Sequence, residues 1–449
     1  MKIALPAASP PTLRFAEKRE QILDGAARLF NRRGIRAGTL AEVAAAVDLV
    51  TNSLTYYYRK KDDLVCACLL RSIEALRALI DQAAAAAPPG DLAGRVRALL
   101  RGYFALMAAI EQGAHPALIY FGDMRALQRP QADAAFAAYE AMFRQLRQLL
   151  HEGATAAGQA LPAGGSVQRQ ALNARCHGLL SQLLWARAWL YRYESADYGR
   201  LAEVLADLLL MGLPAAGQHW PMLAMMPVAG LATMDSAAAE TEAPRETYLR
   251  TATRLVNDHG VGGASVERIA AQLALTKGSF YHHHETKEGL IDACFERSFG
   301  LIRQSQRLAL AGAGNAWQRL LAATLPVVAL QTAPQGPLLR LTAWTELPGA
   351  LRWQKFNSLN RLSERYAAML VDGMIDGSIR LLDPAVAAHL ISGMINALAE
   401  VEHWLPGEQS PDLQALLARP MLLGLLAPEA LPAVPLIPPI PTSDSRRSA

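Results

Sequence analysis

Two clusters of small hydroxyl, amide and cationic side chains are the places in this sequence where chemistry could be done. One runs Thr51-Asn52-Ser53 and then Tyr56-Tyr57-Tyr58-Arg59-Lys60-Lys61. The other runs Thr276-Lys277-Gly278-Ser279, then Tyr281-His282-His283-His284, with Lys287 just beyond. These groups donate and accept hydrogen bonds and carry positive charge, which suits phosphate oxygens and the edges of bases. Nothing in either cluster suits bond-making. No phosphate loop, dinucleotide fingerprint, nucleophile elbow or paired catalytic carboxylates stand out, so no enzyme is expected. Metal chemistry fits no better. Cys66 and Cys68 point to different faces of a helix, and Cys176 and Cys294 are isolated. Three consecutive histidines on a helix lie about 100° apart and cannot converge on one ion, so neither metal nor cofactor is expected.

Both clusters sit at the same place in a repeated unit. Leu23-Asp-Gly-Ala-Ala-Arg-Leu29 lies over Leu249-Arg-Thr-Ala-Thr-Arg-Leu255, Gly34 over Gly260 (260 − 34 = 226) and Lys61 over Lys287 (287 − 61 = 226). From 19–72 onto 245–298 the copies share 18 identities in 54 positions without a gap, Asn31/Asn257 and Cys68/Cys294 among them. Each copy reads as a long helix closed by the glycine, then two short helices and a tight turn. In the first copy the spans are 17–33, 40–46 with Thr39 as N-cap, 51–57 and 60–86. In the second they are 247–259, 266–273 with Ser265 as cap, 277–283 and 287–310. Two helices of about seven residues braced by a longer one form a helix-turn-helix, whose second short helix enters the major groove.

The 449 residues carry 44 basic and 40 acidic side chains, a net +4 that hides a division. Residues 1–80 hold 13 basic and 8 acidic groups, +5; residues 243–307 hold 9 and 7, +2; the rest sums to −3. Positive charge gathered at two separate segments is what two nucleic-acid contacts require. Four cysteines exclude a disulfide scaffold, and no uncharged apolar run reaches the length of a membrane span. A cytoplasmic protein without membrane partners is expected.

At these residues the sequence resembles the TetR family of bacterial transcriptional regulators. The stretch 265–290 follows the family pattern closely, except that His284 stands where the family has an aromatic residue. The stretch 39–64 is less orthodox, with Asn52 in place of a glycine and Thr55 in place of a tyrosine. The resemblance implies an all-α chain of two tandem units, each a DNA-binding bundle followed by a helical sensor and dimerisation domain. It further implies that Thr39, Thr51, Asn52, Ser53, Tyr56, Tyr57 and Lys61 meet DNA in the first unit. In the second, Ser265, Thr276, Lys277, Gly278, Ser279, Tyr281, His282, His283 and Lys287 do so. The partners implied are double-stranded operator DNA and a small-molecule effector that releases it, as for a repressor.

The expected divisions are a flexible start (1–13), a first head (14–80), a first sensor (81–213), a linker (214–243), a second head (244–300), a second sensor (301–427) and a disordered tail (428–449). Sensor helices are expected at 91–111, 116–127, 131–153, 167–193 and 195–213, and at 315–331, 337–346, 350–373, 384–404 and 410–426. The helix 167–193 is apolar almost all round, which a packed core or a dimer interface would satisfy, and the family resemblance favours the interface. Met107, Tyr120, Phe121, Phe143 and Trp185 could line an effector cavity in the first sensor, and Trp344, Phe356 and Met394 in the second. Such walls suit an apolar or aromatic ligand. Two arrangements stay open: the halves pair within one chain as a pseudo-dimer, or two chains form a homodimer. A different reading is that one unit alone binds DNA while the other serves as a sensor or protein-interaction module.

Overall fold

The computed structural model describes residues 13–35, 37–121, 124, 127–155, 166–220, 239–263, 266–272, 286–333, 335–399 and 412–427. Among these the protein is all-α. The first half comprises α1 (Leu13–Arg33), α2 (Leu40–Ala46), α3 (Thr51–Tyr57), α4 (Lys61–Ala86), α5 (Leu92–Glu111), α6 (Gln131–Thr155), α7 (Ser166–Ala186) and α8 (Tyr198–Met211). The second comprises α9 (Ala239–Gly263), α10 (Val266–Gln272), α11 (Lys287–Ala311), α12 (Ala316–Ala329), α13 (Gly349–Ile375), α14 (Pro384–Ala397) and α15 (Arg419–Leu423). A π turn, Gln414–Ala418, leads into α15. No described helix is long and apolar enough to cross a membrane.

The two copies agree in detail as well as in outline. The buried Cys68 thiol donates to the Leu23 carbonyl at 3.7 Å, and Cys294 does the same to Leu249. Burial pushes these thiols up to about 12 and about 11, so they pack as neutral groups and are poor nucleophiles. Arg71 pairs with Glu20 and Arg297 with Glu246, each joining the long helix α4 or α11 to the helix that opens its half.

Two expected helices do not form. Residues 116–120 and 336–340 are irregular, and a 3-10 segment, Leu341–Glu346, follows the second. Their backbone groups bond to side chains from distant helices. In the first half Asn31 donates to the Leu118 carbonyl (2.8 Å) and accepts from the Tyr120 N–H (2.9 Å), while Ser72 accepts from the Ile119 N–H (2.9 Å). In the second, Asn257 donates to Leu338 (2.8 Å) and accepts from Arg340 N–H (3.1 Å), and Ser298 accepts from Leu339 N–H (2.9 Å). With these groups satisfied from outside, the segments have no need of helical bonds. The helix expected over 167–193 also stops early, at Ala186.

The halves pack against each other within the chain. Helices α7 and α8 meet α14, the π turn and α15. His177 Nε2 donates to the Ala397 carbonyl (2.8 Å), Gln182 donates to Leu390 (2.9 Å), and the Trp189 and His389 rings stack 5.2 Å apart. Gly178 faces Leu417 and Met421, and Gly393 faces Trp185. The chain beyond α8 then bonds to the second half, Leu213 N–H to Leu422 (2.9 Å) and Ala215 N–H to Ser378 (3.1 Å). The first residues of the expected linker are thus docked, while 221–238 lie outside the described residues, as does the expected tail 428–449.

His389 tests this contact. Burial, with Arg192 nearby, lowers it to about 4 from 6.5, so the folded chain holds it neutral. Unfolded chain binds a proton below about 6.5 that the folded chain refuses until about 4. Its contribution is therefore complete above about 6.5 and is lost as pH falls to about 4. Denaturant titrations from pH 7 to pH 4 should show a loss of stability in wild type that is smaller in His389→Gln. Equal losses would remove His389 from the account.

Candidate nucleic-acid interface

The first head is built around its turn. Thr39 caps α2: its hydroxyl accepts from the Glu42 N–H (3.2 Å), and the Glu42 carboxylate accepts from the Thr39 N–H (3.0 Å). That bond, and Arg33 beside it, hold Glu42 below the usual carboxylate range. Thr39 is thereby a structural cap. The turn that follows places Asp48 at φ 54°, a left-handed conformation that costs a side-chain-bearing residue about 1 kcal/mol or more. Lys18 on α1 donates to the Val47 carbonyl (3.1 Å), and Gly25 leaves room for the Val47 side chain. α1 thus fixes the turn, and the turn fixes α3.

Thr51, Asn52 and Ser53 stand exposed at the start of α3, held down by the buried Leu54. Tyr56 is 78% exposed, and Tyr57 stacks on Phe15 of α1 at 4.8 Å. Arg14, Phe15, Lys18, Ser53, Tyr56 and Tyr57 line one groove between α1 and α3. Arg59 and Lys60 extend the positive edge. Tyr58 turns the other way, into the core, where its hydroxyl accepts from Arg19 (3.0 Å) and burial raises its pKa. It aligns with His284.

Lys61 is placed differently from a free phosphate contact. It is half-buried and donates to the Gly38 carbonyl (3.1 Å), tying α4 to the loop before α2. Sequence reasoning missed Arg14, Phe15 and Lys18, which reach the groove from α1; of the two aromatic residues on that helix Phe30 is buried, which leaves Phe15 to pair with the tyrosines.

In the second head Ser265, Thr276, Lys277, Gly278, Ser279, Tyr281, His282 and His283 lie outside the described residues. Lys287 opens α11 beside Thr286, whose hydroxyl accepts from the Gly289 N–H (3.0 Å). Gly260 breaks α9 at φ 71°, as Gly34 with φ 80° follows α1.

The residues expected to line effector cavities are scattered. Met107 and Phe143 are core, and Phe121 packs on Tyr139. Tyr120 lies under the Arg187 guanidinium, 3.9 Å from the ring centre. Trp185 and Met394 are buried on the helices where the halves meet, and Phe356 packs on Trp344 and on Tyr191 of the other half. None of them lines the small cavity found in the second half among Phe299, Gln331, Arg340, Leu362, Tyr366 and Ile395. Among the described residues no group of three or more His, Cys, Asp or Glu is placed to hold a metal.

The profile of bacterial regulatory proteins of the tetR family matches residues 22–68 and, again, 249–294. The HTH-type transcriptional regulator UidR of Escherichia coli strain K12 is 33% identical over 78 residues, 17% of this chain and 36% of that protein. The Shigella flexneri protein of the same name gives the same figures. The chain thus spans about a third of the length of the relatives it matches. A crystal structure of apo AibR overlaps 40% of this chain and 95% of its own, at 23% identity and a TM-score of 0.33.

The strained turn yields a test of the head. Asp48→Val, a β-branched residue at positive φ, should destabilise the first head by about 2 kcal/mol, whereas Asp48→Gly should be neutral within about 1 kcal/mol. Thermal denaturation of both variants decides it, and equal melting points would show that the turn carries no strain.

Proposed function

We propose that this chain, a tandem member of the tetR family of bacterial regulatory proteins, is a transcriptional repressor whose two heads read one operator from a single polypeptide. The observation that carries the reading is the packing of α7 and α8 on α14 and α15. It joins the halves where the family resemblance implies that two separate subunits meet. Two heads fixed in one chain are not identical, so the DNA they fit is two unlike half-sites. An effector that binds better to the arrangement with the wrong head spacing would shift the population away from DNA.

In the first head Thr51, Asn52, Ser53 and Tyr56 are the groove-facing set, with Arg14, Lys18, Arg59 and Lys60 toward phosphates. In the second, Lys277, Gly278, Ser279 and His282 take the corresponding positions by alignment, with Thr276, Tyr281 and His283 beside them. The groove-facing set and the positive edge of the first head favour its taking part.

Salt dependence separates the roles. With DNA selected from random sequence by the purified chain, Lys60→Ala should weaken binding and reduce the slope of log K against log salt by about 1. Lys277→Ala should do the same from the second head. Lys61→Ala should act mainly on stability, because its ammonium is spent on the Gly38 carbonyl. Unchanged slopes in both Lys60→Ala and Lys277→Ala would contradict a two-headed reader.

A further inference from the structure

One short stretch at the start of α13 touches both heads. Arg352 reaches across to the first: its guanidinium donates to the Arg32 carbonyl in the last turn of α1. A second nitrogen of the same guanidinium donates to the Leu347 carbonyl at 3.1 Å, which fixes the direction of the fork. A cation at the C-terminus of a helix meets the negative end of its dipole and carbonyls that lack intrahelical partners. Arg352 therefore closes the far end of the helix that fixes the turn of the first head. Just before α13, the 3-10 segment Leu341–Glu346 packs on α1 as well, and on α9 of the second half.

Lys355, three residues on, holds the second head. It is 2% exposed, and its ammonium lies 2.7 Å from an Asp292 carboxylate oxygen and 2.5 Å from one of Glu296. Asp292 and Glu296 stand one turn apart on α11, which opens at Lys287. Burial alone would raise the Glu296 carboxyl, yet the bond and charge of Lys355 hold it below the usual carboxylate range. An ammonium set between two carboxylates in a buried site cannot slide without leaving charge uncompensated. The matched positions of the first copy are Cys66 and Leu70 (292 − 66 = 226, 296 − 70 = 226), which offer an ammonium no carboxylate. Phe356, next along α13, packs on Tyr191 of the first half at 5.3 Å and on Trp344 at 5.6 Å.

We infer that the start of α13 is a brace between the heads, with Arg352 and Lys355 as positioning residues that set how far the first head stands from the second. The first head is then held by the second half, across the chain, as well as by its own. This brace is distinct from the seam of α7 and α8 with α14 and α15, because it ends on a head and not on the interface helices. Any movement that turns the start of α13 pulls on α1 through Arg352 and on α11 through Lys355 at once. That the spacing serves the reading of DNA rests on the regulatory reading above; the spacing itself does not.

Spin labels at Ala16→Cys on α1 and Asp258→Cys on α9, both exposed sites in a chain whose native cysteines are all buried, read the distance between the heads in the full chain. With the brace intact they should report one narrow distance. Arg352→Gln should broaden or shift it. Arg352→Lys, which keeps the charge and one donor, should restore most of the narrow distribution. Gln354→Ala, exposed on the same turn, should leave it unchanged. Lys355→Gln should broaden it too, and should that variant fail to fold, the two Arg352 variants still decide. A narrow, unmoved distance in Arg352→Gln would overturn the brace, as would equal broadening in Arg352→Lys or Gln354→Ala. On DNA selected by the purified chain, Arg352→Gln should weaken binding to both half-sites together on the order of tenfold, because heads free to move lose effective concentration. Affinity for the first half-site alone should not change. Equal losses on both DNAs would make Arg352 part of the first head's own fold and overturn its positioning role. Failure of the unaltered chain to bind any DNA would sink the regulatory reading, with the label distances still deciding the brace.

Discussion

The contact between the halves is the constraint on which the rest depends, and it is closest at two glycines. Gly212 ends α8 at φ 73° and Gly424 ends α15 at φ 96°, and a Cβ on either would run into the backbone of the other's segment. Leu213 N–H donates to Leu422, and Leu425 N–H donates back to Leu209 at 2.8 Å. The two strands of contact are related by an approximate twofold with a stagger of one residue. Backbone bonded to backbone in this way fixes the halves more firmly than side-chain packing alone, because a shift breaks several bonds together. Along α7 and α14 the seam continues with the buried His177 on the Ala397 carbonyl and the buried His389 on the Trp189 ring.

A fused pair is free to be asymmetric in a way that two identical subunits are not, and the chain uses that freedom. The first head carries the larger positive charge and a tyrosine-rich groove; the second carries histidines at the corresponding positions. Asn31 and Ser72 bond to the irregular segment, as does Arg71 through the Ala117 carbonyl, and all three recur 226 residues on as Asn257, Ser298 and Arg297, so the same grip is kept in both halves.

Much of the heads was legible in the sequence because what forms them is local. The capping box of Thr39 and Glu42, the glycine after Arg33 and the apolar spacing of Ile22, Leu23, Ala26 and Phe30 are all read within one or two turns. The burial of α7 was legible from its lack of a polar face. The partner it buries against was not, since nothing local to α7 marks α14, far along the chain, as its neighbour. The segment 116–120 misled because its apolar, helix-like composition says nothing of Asn31 and Ser72, which take its backbone bonds from far along the chain. The cavity was invisible for a similar reason. Aromatic residues such as Trp185 and Phe356 drew attention by size, yet they pack where the halves meet and do not line it.

The central claim is that one chain presents two unlike heads to one stretch of DNA. Footprinting of a complex with selected DNA, with its mass measured in solution, addresses it most directly. The account predicts a single 48.5 kDa chain protecting two half-sites of different sequence. A palindromic site covered by two chains, each lending the same head, would contradict it.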